Sequence, residues 1–355
     1  MRTSQRLRFL FSLLLAALLV TGAAWPATSR LAVSVIDVGQ GDSILVQFPG
    51  GQDMLVDAGD RDAGLTVVQY LRSRGVQRID ILVASHPHAD HIGGMQAVLS
   101  AFPIGKVWDS GYNQGSRTQQ EFLGTIKAKG IRFGMPKAGF SQTVGNVTVT
   151  VLAPKTQLTG TESDANNNSL VLRVTYGSVS FLLPGDMEGE ERATVGAWPR
   201  STVLKVAHHG SRNGTDLAFA KALSPTYAAI SYAQGNPYGH PHAEALAALR
   251  STGAKILQTA VDGTVVFTTD GTSVSYTTTH TARITRGRRA SGAVVYSPVA
   301  AATVPKGTAY IGNARSHIFH RLSCSTLPSA KNAVNLRSRE EAVSQGYRPC
   351  RRCNP

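Results

Sequence analysis

The sequence predicts a layered α/β fold, in which helices cover β-sheets, followed by a small basic module. Through residues 29–280, short β-branched or alternating apolar runs alternate with segments of helical periodicity, and glycine, proline and asparagine separate them. This alternation is typical of sheets whose faces are covered by helices. From residue 281 onward the periodicity ends, the composition becomes basic, and all three cysteines occur. We therefore expect one large domain and one small one.

Residues 1–28 are predicted to be a secretory signal peptide. Three arginines precede an apolar run over residues 9–20, and small residues follow at 21–24. An uncleaved membrane anchor is the alternative, but a membrane-spanning helix needs about 20 apolar residues and this run is shorter. We expect the remaining chain to be secreted or extracytoplasmic, with no stable membrane span after signal cleavage.

The large domain is predicted to span residues 29–280. Strand patterns occur at residues 31–38, 43–48, 53–56, 79–84, 147–152, 170–176, 179–183 and 203–207. Helical patterns occur at residues 64–74, 93–102, 117–129, 215–223 and 243–252. A last strand pair, over residues 263–268 and 273–278, is predicted to turn at Asp270 and Gly271.

The tail carries almost all of the net charge of the mature chain. Residues 29–280 contain 20 basic and 20 acidic residues, whereas residues 281–355 contain 13 basic and two acidic residues. A basic segment of this kind favours polyanions such as nucleic acid, anionic lipid or an acidic wall polymer; a merely solvated tail is the alternative. Residues 281–307 are interpreted as a basic linker and residues 308–355 as a module too short to rely on a core alone.

The stretch His86-Pro87-His88-Ala89-Asp90-His91 is the strongest functional signal. Three imidazoles and a carboxylate follow the predicted strand 79–84 directly. Zn²⁺ and similar metals bind this combination of nitrogen and oxygen ligands. We predict a metal site here, with His86 and His88 facing one ion and Asp90 and His91 facing a second. A polar loop whose histidines merely face water is the alternative.

Further polar side chains follow other predicted strands directly. Asp57 follows strand 53–56 and is expected to orient the histidines or an active water. Asp186 follows strand 179–183, where its carboxylate could bridge two ions. His208 and His209 end the strand that begins at residue 203. We expect these groups to converge with residues 86–91 on one edge of a sheet.

The cysteines of the small module have the spacing of a structural zinc site. An odd cysteine count argues against a simple disulfide framework, although one disulfide between two of them is the alternative. The H-x₃-C and C-x₂-C pairs predict four zinc ligands, which are His320, Cys324, Cys350 and Cys353. Sequence-independent phosphate contacts that weaken with salt are predicted for the nearby arginines, Arg315, Arg321, Arg348, Arg351 and Arg352.

Residues 31–280 resemble the metallo-β-lactamase superfamily, specifically the nuclease-like domain of the ComEC competence proteins. Seven motifs in the family order carry the resemblance, namely residues 37–43, Asp57, residues 86–91, residues 167–169, Asp186, residues 208–211 and residues 236–241. The resemblance implies an α/β (α+β) fold of the αββα sandwich type, two divalent metal ions and hydrolytic chemistry. The module resembles the zinc-binding domain of Ada, but His320 replaces a cysteine there, which argues against methyl-acceptor chemistry.

The resemblance also implies ligand roles. The first ion, zinc or manganese, would take His86 and His88, the second would take Asp90, His91 and His208, and Asp186 would bridge the two. Many superfamily members have a further histidine after the cluster, but residues 92–130 contain none. Asp109 is a possible replacement, although an exposed structural aspartate is the favoured interpretation.

The remaining candidates are expected to act on the substrate or the reacting water. Catalytic contributions are expected from four residues, Asp57, Asp90, His209 and His240, and substrate contacts from three, Asn168, Ser169 and Ser211. Alternatives stay open at several positions. His209 could bond only backbone, His240 could be a turn residue, and Asn168 with Ser169 could orient Asp186 or cap an element. The aspartates of the glycine turn, Asp37 and Asp42, are expected to be structural, and His242 and His280 to be surface residues.

The sequence as a whole predicts an exported, metal-dependent phosphodiesterase, and specifically a nuclease that hydrolyses extracellular DNA. The tail would bring the polyanion to the metal site without changing the chemistry. One alternative is a phosphodiesterase acting on phosphorylcholine-bearing wall polymers. Another is a DNA-capture protein for competence with weak or no catalysis.

Overall fold

The computed structural model describes residues 30–280 and part of the C-terminal region, which comprises residues 310–314, 316, 318–321, 328, 332–336, 338–345 and 347–350. The predicted signal peptide and basic linker lie outside the described residues. So do five predicted site residues, Arg315, Cys324, Arg351, Arg352 and Cys353. No helix within the described part of the chain is both long and apolar enough to span a bilayer.

Residues 30–280 form two β-sheets from fifteen strands. In chain order the strands are β1 (Leu31–Val35), β2 (Ile44–Gln47), β3 (Asp53–Val56), β4 (Ile79–Ala84), β5 (Ile104–Asp109), β6 (Arg132–Gly134), β7 (Ser141–Val144), β8 (Val147–Ala153), β9 (Val171–Tyr176), β10 (Val179–Leu183), β11 (Val203–Lys205), β12 (Tyr227–Ile230), β13 (Lys255–Gln258), β14 (Val265–Thr269) and β15 (Val274–Thr278). The first sheet has the order β15-β14-β1-β2-β3-β4-β5-β6, and the second has the order β13-β12-β11-β10-β9-β8-β7.

The two sheets face each other across the largest apolar core of the described residues. Alternating side chains of β1, Leu31, Val33 and Val35, all belong to it, because successive residues of a strand point to opposite faces. Phe181 of the second sheet meets Phe267 of the first edge-to-face, with ring centroids 6.3 Å apart. The inner faces are therefore joined by direct apolar packing.

Helices cover the outer face of each sheet. In chain order they are α1 (Gly64–Ser73), α2 (Ala89–Ile92), α3 (Met95–Ala101), α4 (Arg117–Ala128), α5 (Gly189–Val195), α6 (Leu217–Leu223), α7 (Ala243–Arg250) and α8 (Thr259–Asp262). Leu71 of α1 and Phe122 of α4 pack on the first sheet, and Phe219 of α6 and Leu249 of α7 pack on the second. The predicted αββα sandwich is thereby confirmed.

Parallel strands place the functional loops at one end of each sheet. Strands β3, β4, β5 and β6 run parallel to one another, and so do β10, β11, β12 and β13. Parallel strands have their carboxyl ends on the same edge, and open α/β sheets bind ligands there. The loops that follow β3, β4, β10 and β11 therefore form the candidate site. The site takes residues from both sheets, whereas the sequence predicted that they would meet at one edge of a single sheet.

The helix predicted over residues 93–102 corresponds to α3, and the structure has a separate short helix, α2, directly before it. Helix α2 contains Asp90 and His91, and α3 begins only at Met95. Gly94 lies between them, and a Cβ on it would lie 2.1 Å from the carbonyl oxygen of Ala58. The close packing of backbone against backbone at this point ends the first helix and directs its ligands toward β3.

The described residues of the small module form a four-stranded sheet with one helix. The strands are β16 (Tyr310–Asn313), β17 (Ile318–Arg321), β18 (Ala333–Leu336) and β19 (Arg348–Pro349), in the order β18-β16-β17-β19, and the helix is α9 (Arg339–Ser344). Its small core contains Phe319, Leu336, Ala342 and Tyr347. This core is short, as expected for a module that needs a further source of stability.

Candidate active site

Two carboxylates and two imidazoles from both sheets converge at the center of the site. Their ligand atoms lie within 4.8 Å of one another, in the group Asp90, His91, Asp186 and His209. The His91 Nε2 atom is 3.3 Å from His209 Nε2 and 3.2 Å from Asp186 Oδ1. The His209 Nε2 atom is 3.3 Å from Asp90 Oδ2 and 3.4 Å from Asp186 Oδ2. All four distances are nearly equal.

These distances fit a bound metal ion. Ligand atoms that surround a tetrahedral zinc at 2.0–2.1 Å lie about 3.3 Å from one another. Two imidazole nitrogens that face each other, as His91 Nε2 and His209 Nε2 do, need a cation or a proton between them. The donor set of two nitrogens and two carboxylates is also one that zinc and manganese accept. The residues present therefore fit the group that the fold family implies.

A second set of histidines lies beside the same aspartate. His86 Nε2 is 3.0 Å from His88 Nδ1 and 3.9 Å from Asp186 Oδ2. His208 Nε2 is 3.7 Å from that same oxygen. Asp186 thus faces both groups of histidines, which is the position expected of a bridging carboxylate.

His209, rather than His208, lies where we expected the second-ion ligand. His208 instead contacts Glu188, its Nδ1 atom lying 2.8 Å from Glu188 Oε1. The backbone explains the difference, because both histidines have positive φ angles, 46° and 53°. This turn directs His209 toward Asp90 and leaves His208 beside the cleft, where it is partly exposed.

Backbone strain is concentrated at this site. Four non-glycine residues of the described chain have positive φ, and three of them are Asp57, His208 and His209. The left-handed region costs a residue with a Cβ roughly 1–2 kcal/mol. Strain of this kind is typical of functional sites, since the surrounding structure has to enforce it.

Asp57 orients the His91 ring through Nδ1, the nitrogen that faces away from Asp186. Its Oδ2 atom lies 2.8 Å from His91 Nδ1, and its two oxygens accept hydrogen bonds from the backbone N–H and the hydroxyl of Ser85. Both Asp57 and Ser85 are buried. Such a carboxylate fixes the ring orientation and makes the other nitrogen a better ligand. The sequence predicted this role for Asp57, whereas it gave no signal for Ser85 beyond its place before His86.

A buried ion pair supports His209. Lys205 Nζ lies 2.7 Å from Asp42 Oδ2, and Asp42 Oδ1 lies 3.4 Å from His209 Nδ1. Lys205 and Asp42 are each 1% exposed. Asp42 is expected from the sequence to be structural, and the structure adds that its carboxylate contacts Lys205 and His209. A lysine inside a buried strand could have been the signal, because an unpaired charge is rarely buried.

Glu188 is a further site residue that the sequence analysis missed. It contacts His208 and accepts hydrogen bonds from the side chains of Asn166 and Asn167, at 3.1 Å and 3.5 Å. Glu188 is buried and lies two residues after Asp186. Asn166 and Asn167 therefore hold the Glu188 carboxylate in place, and Glu188 in turn orients His208.

Burial holds two histidines in the neutral form that a metal requires. Burial lowers the pKa of His86 well below its usual value, and the neighbouring His91 lowers it further. Burial also lowers the pKa of His88. Neutral imidazoles offer a lone pair, so this pair is ready to coordinate a cation.

In the central group of Asp90, His91, Asp186 and His209, burial shifts each pKa in one direction, and the neighbouring charges together outweigh it. Burial alone would lower the pKa values of His91 and His209, but the carboxylate of Asp186 and other nearby acids raise them well above normal. Burial alone would raise the pKa values of Asp90 and Asp186, but the histidines lower them. Protons therefore compete with a metal for His91 and His209, and metal affinity should rise with pH.

The central residues open into a cleft with a volume of about 440 Å³. Asp90, Asp186, His208 and His209 lie in its wall. Loops from both halves of the domain supply the rest, which includes Gln40, His88, Ala89, Gln114, Ser116, Thr118, Asn166, Tyr238 and His240. The residues that line the cleft include no lysine or arginine. The positive charge needed for a phosphate would have to come from bound metal or from outside the cleft.

His240 lies in the cleft wall, as a phosphate-binding residue would. Its ring is 5.2 Å from the His208 ring and stacks on Tyr238 at 5.6 Å. Burial lowers the pKa of His240 to about 4, and the neighbouring histidines His208, His209 and His242 add to this effect. A neutral His240 can donate one hydrogen bond into the cleft.

Three expected substrate ligands are buried instead. Asn168 bonds the backbone of Leu158 and Asp164. The Ser169 hydroxyl accepts a hydrogen bond from the backbone N–H of Asp186, and the Ser211 hydroxyl accepts one from that of Asn213. These side chains stabilise loops and do not reach the cleft surface.

Asp109, the possible replacement ligand, is buried and bonds the N–H of Gly111. This corrects the favoured expectation that it is exposed. Burial raises its pKa to about 6, and the charge of Asp57 adds to the shift. Asp109 is outside the groups of ligand atoms found among the described residues.

In the small module the described part of the predicted zinc site is consistent in position. His320 lies in β17 and Cys350 follows β19, and these two strands pair in parallel. The N–H of Cys350 donates to the carbonyl of Phe319, at 2.9 Å. Both His320 and Cys350 are buried. The pairing therefore brings one residue of each ligand pair to the same place, while the other two ligands lie outside the described residues.

Models of two protein families match this chain. The family model of the metallo-beta-lactamase superfamily matches residues 36–234, and the model of the metal binding domain of Ada matches residues 299–355. A solved structure, the metallo-beta-lactamase fold protein YhfI from Bacillus subtilis, is 15% identical and covers 68% of this chain and 99% of its own, with a TM-score of 0.45.

Two curated relatives are similar to this chain over part of their length. The chain is 29% identical to ComE operon protein 3 of Bacillus subtilis, over 66% of this chain and 32% of that protein. It is 34% identical to Competence protein ComA of Neisseria gonorrhoeae, over 67% of this chain and 32% of that protein. The chain thus spans about a third of the length of these relatives. The superfamily model matches more than half of the residues of this chain, and the chain has the αββα sandwich fold. The chain therefore belongs to the metallo-β-lactamase superfamily.

Proposed function

We propose that this chain is an exported, metal-dependent phosphodiesterase that hydrolyses DNA. The observation that carries the proposal is the group of Asp90, His91, Asp186 and His209 atoms within 4.8 Å of one another. His86 and His88 lie on another side of Asp186 and would take the first ion. The second ion would take Asp90, His91 and His209, with Asp186 shared.

The positions of His208 and His209 also suggest which residue replaces the histidine that many superfamily members have after the cluster and that residues 92–130 lack. His208 Nε2 lies 3.7 Å from the Asp186 oxygen that His86 also faces, at 3.9 Å. We therefore assign His208 to the first ion, in the place where other superfamily members use a histidine that follows the cluster. Glu188 would then act on His208 as Asp57 acts on His91.

Ions bound at such a site lower the pKa of water to near neutrality and neutralise charge on phosphoryl oxygens. The chain's own residues supply orientation. Asp57 and Ser85 fix His91, and the pair of Lys205 and Asp42 fixes His209. His240 would donate a hydrogen bond to a phosphoryl oxygen without adding a charge.

The charge distribution favours a polyanionic substrate. The cleft has no lysine or arginine in its lining, whereas the C-terminal region carries a large excess of arginine and lysine. Association of a neutral hydrolase with a basic zinc module increases the local concentration of DNA near the metal site. The name of one relative, Competence protein ComA, adds support for DNA over other polyanions, since competence is the capacity to take up DNA.

The test is hydrolysis by the purified protein loaded with Mn²⁺ or Zn²⁺. Labelled single-stranded and double-stranded DNA are compared with p-nitrophenyl phosphorylcholine. We expect DNA cleavage, and we expect Asp186→Ala to abolish cleavage while DNA binding changes little. Glu244→Ala is the matched control, since its side chain is 58% exposed and pairs only with Arg212 among the contacts described.

Three results would contradict the proposal in different ways. An active Asp186→Ala protein would exclude the shared carboxylate. Hydrolysis of the choline ester without cleavage of DNA would show that the protein is not a nuclease and would favour a phosphodiesterase that acts on wall polymers. DNA that is bound but never cleaved, with either metal, would indicate a DNA-capture protein.

A further inference from the structure

One aromatic side chain stands exposed in the cleft. Seven large hydrophobic side chains are strongly exposed among the described residues, and Tyr238 is the one that lines the cleft. Its exposed fraction is 61%. Aromatic rings contribute strongly to binding when a ligand covers them, and an exposed ring in a cleft is available for such contact. The metal chemistry proposed above does not use the phenol ring.

The loop that carries Tyr238 is held rigidly. The Asn236 side chain accepts hydrogen bonds from the N–H groups of Tyr238 and His240, at 3.1 Å and 3.0 Å. It also donates to the carbonyls of Ala233 and His240, at 3.0 Å and 2.6 Å. One amide therefore uses both its oxygen and its nitrogen to fix the turn, and the ring is presented in a defined orientation.

One face of the Tyr238 ring is already covered. The ring stacks on His240 with centroids 5.6 Å apart and planes inclined by 26°, and His240 in turn contacts His208 at 5.2 Å. His208 lies beside Asp186. A series of three rings thus leads from solvent to the metal-binding residues, with the outer face of Tyr238 open at its end.

We propose that Tyr238 is a stacking surface for a nucleobase adjacent to the scissile phosphate. This inference rests on the proposed phosphodiesterase function. Every base has a π-face, so stacking on one aromatic ring is tolerant of sequence. A base can stack there only when it has left its own duplex stack. The site would therefore select nucleoside phosphodiesters, and unpaired strands over paired ones.

A choline group would fit this position less well. Quaternary ammonium groups are bound by cages of several aromatic rings, whereas Tyr238 offers a single open face, with its other face on His240. All other side chains that line the cleft, except that of Ala89, can form hydrogen bonds. Gln114, Ser116 and Thr118 lie in the same cleft and suit the polar edges of a base or sugar.

The test compares two esters that differ only in the nucleoside. These are the p-nitrophenyl ester of thymidine 5′-phosphate and methyl p-nitrophenyl phosphate, both assayed with the full-length protein and Mn²⁺. Tyr238→Leu should raise KM for the thymidine ester about tenfold, since stacking of one base is worth about that factor or more. The kcat/KM value for the methyl ester should not change. Tyr238→Phe should keep the wild-type KM, because the ring remains.

Phe133→Leu is the matched control, because Phe133 is also strongly exposed but does not line the cleft. The stacking proposal is overturned if Tyr238→Leu affects both esters equally or neither of them. If the wild-type protein hydrolyses neither ester, the proposed function fails independently of stacking. Calorimetric binding of thymidine 5′-monophosphate to the Mn²⁺-loaded proteins then decides: weaker binding by Tyr238→Leu supports the stacking surface, and equal binding excludes it.

Discussion

Four histidines turn the same ring nitrogen, Nε2, toward Asp186. The distances from Nε2 to its nearer oxygen are 3.2 Å for His91, 3.4 Å for His209, 3.7 Å for His208 and 3.9 Å for His86. In three of these histidines an oxygen contacts the opposite ring nitrogen, Nδ1. Asp57 provides the oxygen for His91, the backbone carbonyl of Ser231 provides it for His209, and Glu188 provides it for His208. Contacts of this kind select the tautomer that leaves Nε2 free for a metal.

Asp109 gives a pH dependence that belongs to a single residue. Its pKa of about 6 in the fold exceeds the ordinary 3.8, so burial of its charge costs roughly 3 kcal/mol once it is ionised. Because the folded-state pKa is raised, the cost is absent below about pH 4, grows between pH 4 and pH 6, and is constant above. Asp109→Asn keeps the oxygen that bonds Gly111 and removes the charge. We expect it to stabilise the protein at pH 8 and to have little effect at pH 4.

Urea unfolding of both proteins across this pH range is the measurement. The difference in free energy of unfolding should appear between pH 4 and pH 6. Asp62→Asn is a suitable control, since Asp62 is exposed. A difference that is the same at every pH would show that Asp109 acts through its shape or hydrogen bond rather than through its charge.

At the scale of elements, the loop between β1 and β2 packs against the ligand-bearing helix α2. The N–H of Asp42 donates to the carbonyl of Asp90, at 3.2 Å. Gly41 makes this approach possible, because a Cβ on it would lie 2.0 Å from that same carbonyl oxygen. The loop thereby brings Asp42 to His209 and fixes the backbone at Asp90 together.

Gly41→Ala should therefore weaken both folding and metal binding. Gly51 is a matched control, since its φ of +82° is also positive but a Cβ there would meet nothing within 4 Å. We expect Gly51→Ala to cost about 1 kcal/mol, the strain of the left-handed region, and Gly41→Ala to cost at least about 2 kcal/mol more. Thermal unfolding and calorimetric Zn²⁺ titration check the two effects. Equal losses for both variants would show that the contact with Asp90 is unimportant.

Elements with a strong local pattern could be predicted from the sequence, and elements without one could not. The strand pair β14 and β15 and its turn at Asp270 were predicted because alternation and turn chemistry are local. Strands β12 and β13 were missed, although β2 and β3 have the same length and were predicted. The central residues of β12 are two alanines and β13 has a polar residue at each end, so neither shows the pattern of a strand by itself. Helix α5 was missed as well, and it follows directly on Glu188.

The same distinction applies to the site. The convergence of the histidines and the aspartate of residues 86–91 with Asp186 could be predicted, since each group follows a recognisable buried strand. The roles of His208 and His209 could not, because two left-handed residues decide which ring enters the center. The pairing of Lys205 with Asp42 joins residues 163 positions apart, and no local pattern reports a contact of that range.

At the scale of the whole molecule, a neutral hydrolase region is joined to a basic C-terminal region. If the five predicted arginines contact phosphates of double-stranded DNA, affinity should fall about 500-fold between 50 mM and 200 mM salt. Removal of residues 281–355 should abolish this binding and its salt dependence. Hydrolysis of the thymidine ester should be unaffected, since residues 30–280 have their own core.

Fluorescence anisotropy with labelled duplex DNA, at several salt concentrations, measures both quantities. The full-length chain and residues 30–280 are compared, with ester hydrolysis as the control that the shorter protein is folded. Tight, salt-sensitive binding by the shorter protein would place the DNA-binding surface on the hydrolase region instead.

The origin of the four central donors has a consequence for how the sandwich stays closed. Asp90 and His91 follow a strand of the first sheet, whereas Asp186 and His209 follow strands of the second. An ion bound by all four would link the sheets at their open end, as a cross-link does, and would bind only when the two are docked. Its binding free energy then adds to the free energy that keeps the sheets together. In a metal-poor environment the protein would lose cohesion between its layers along with its chemistry.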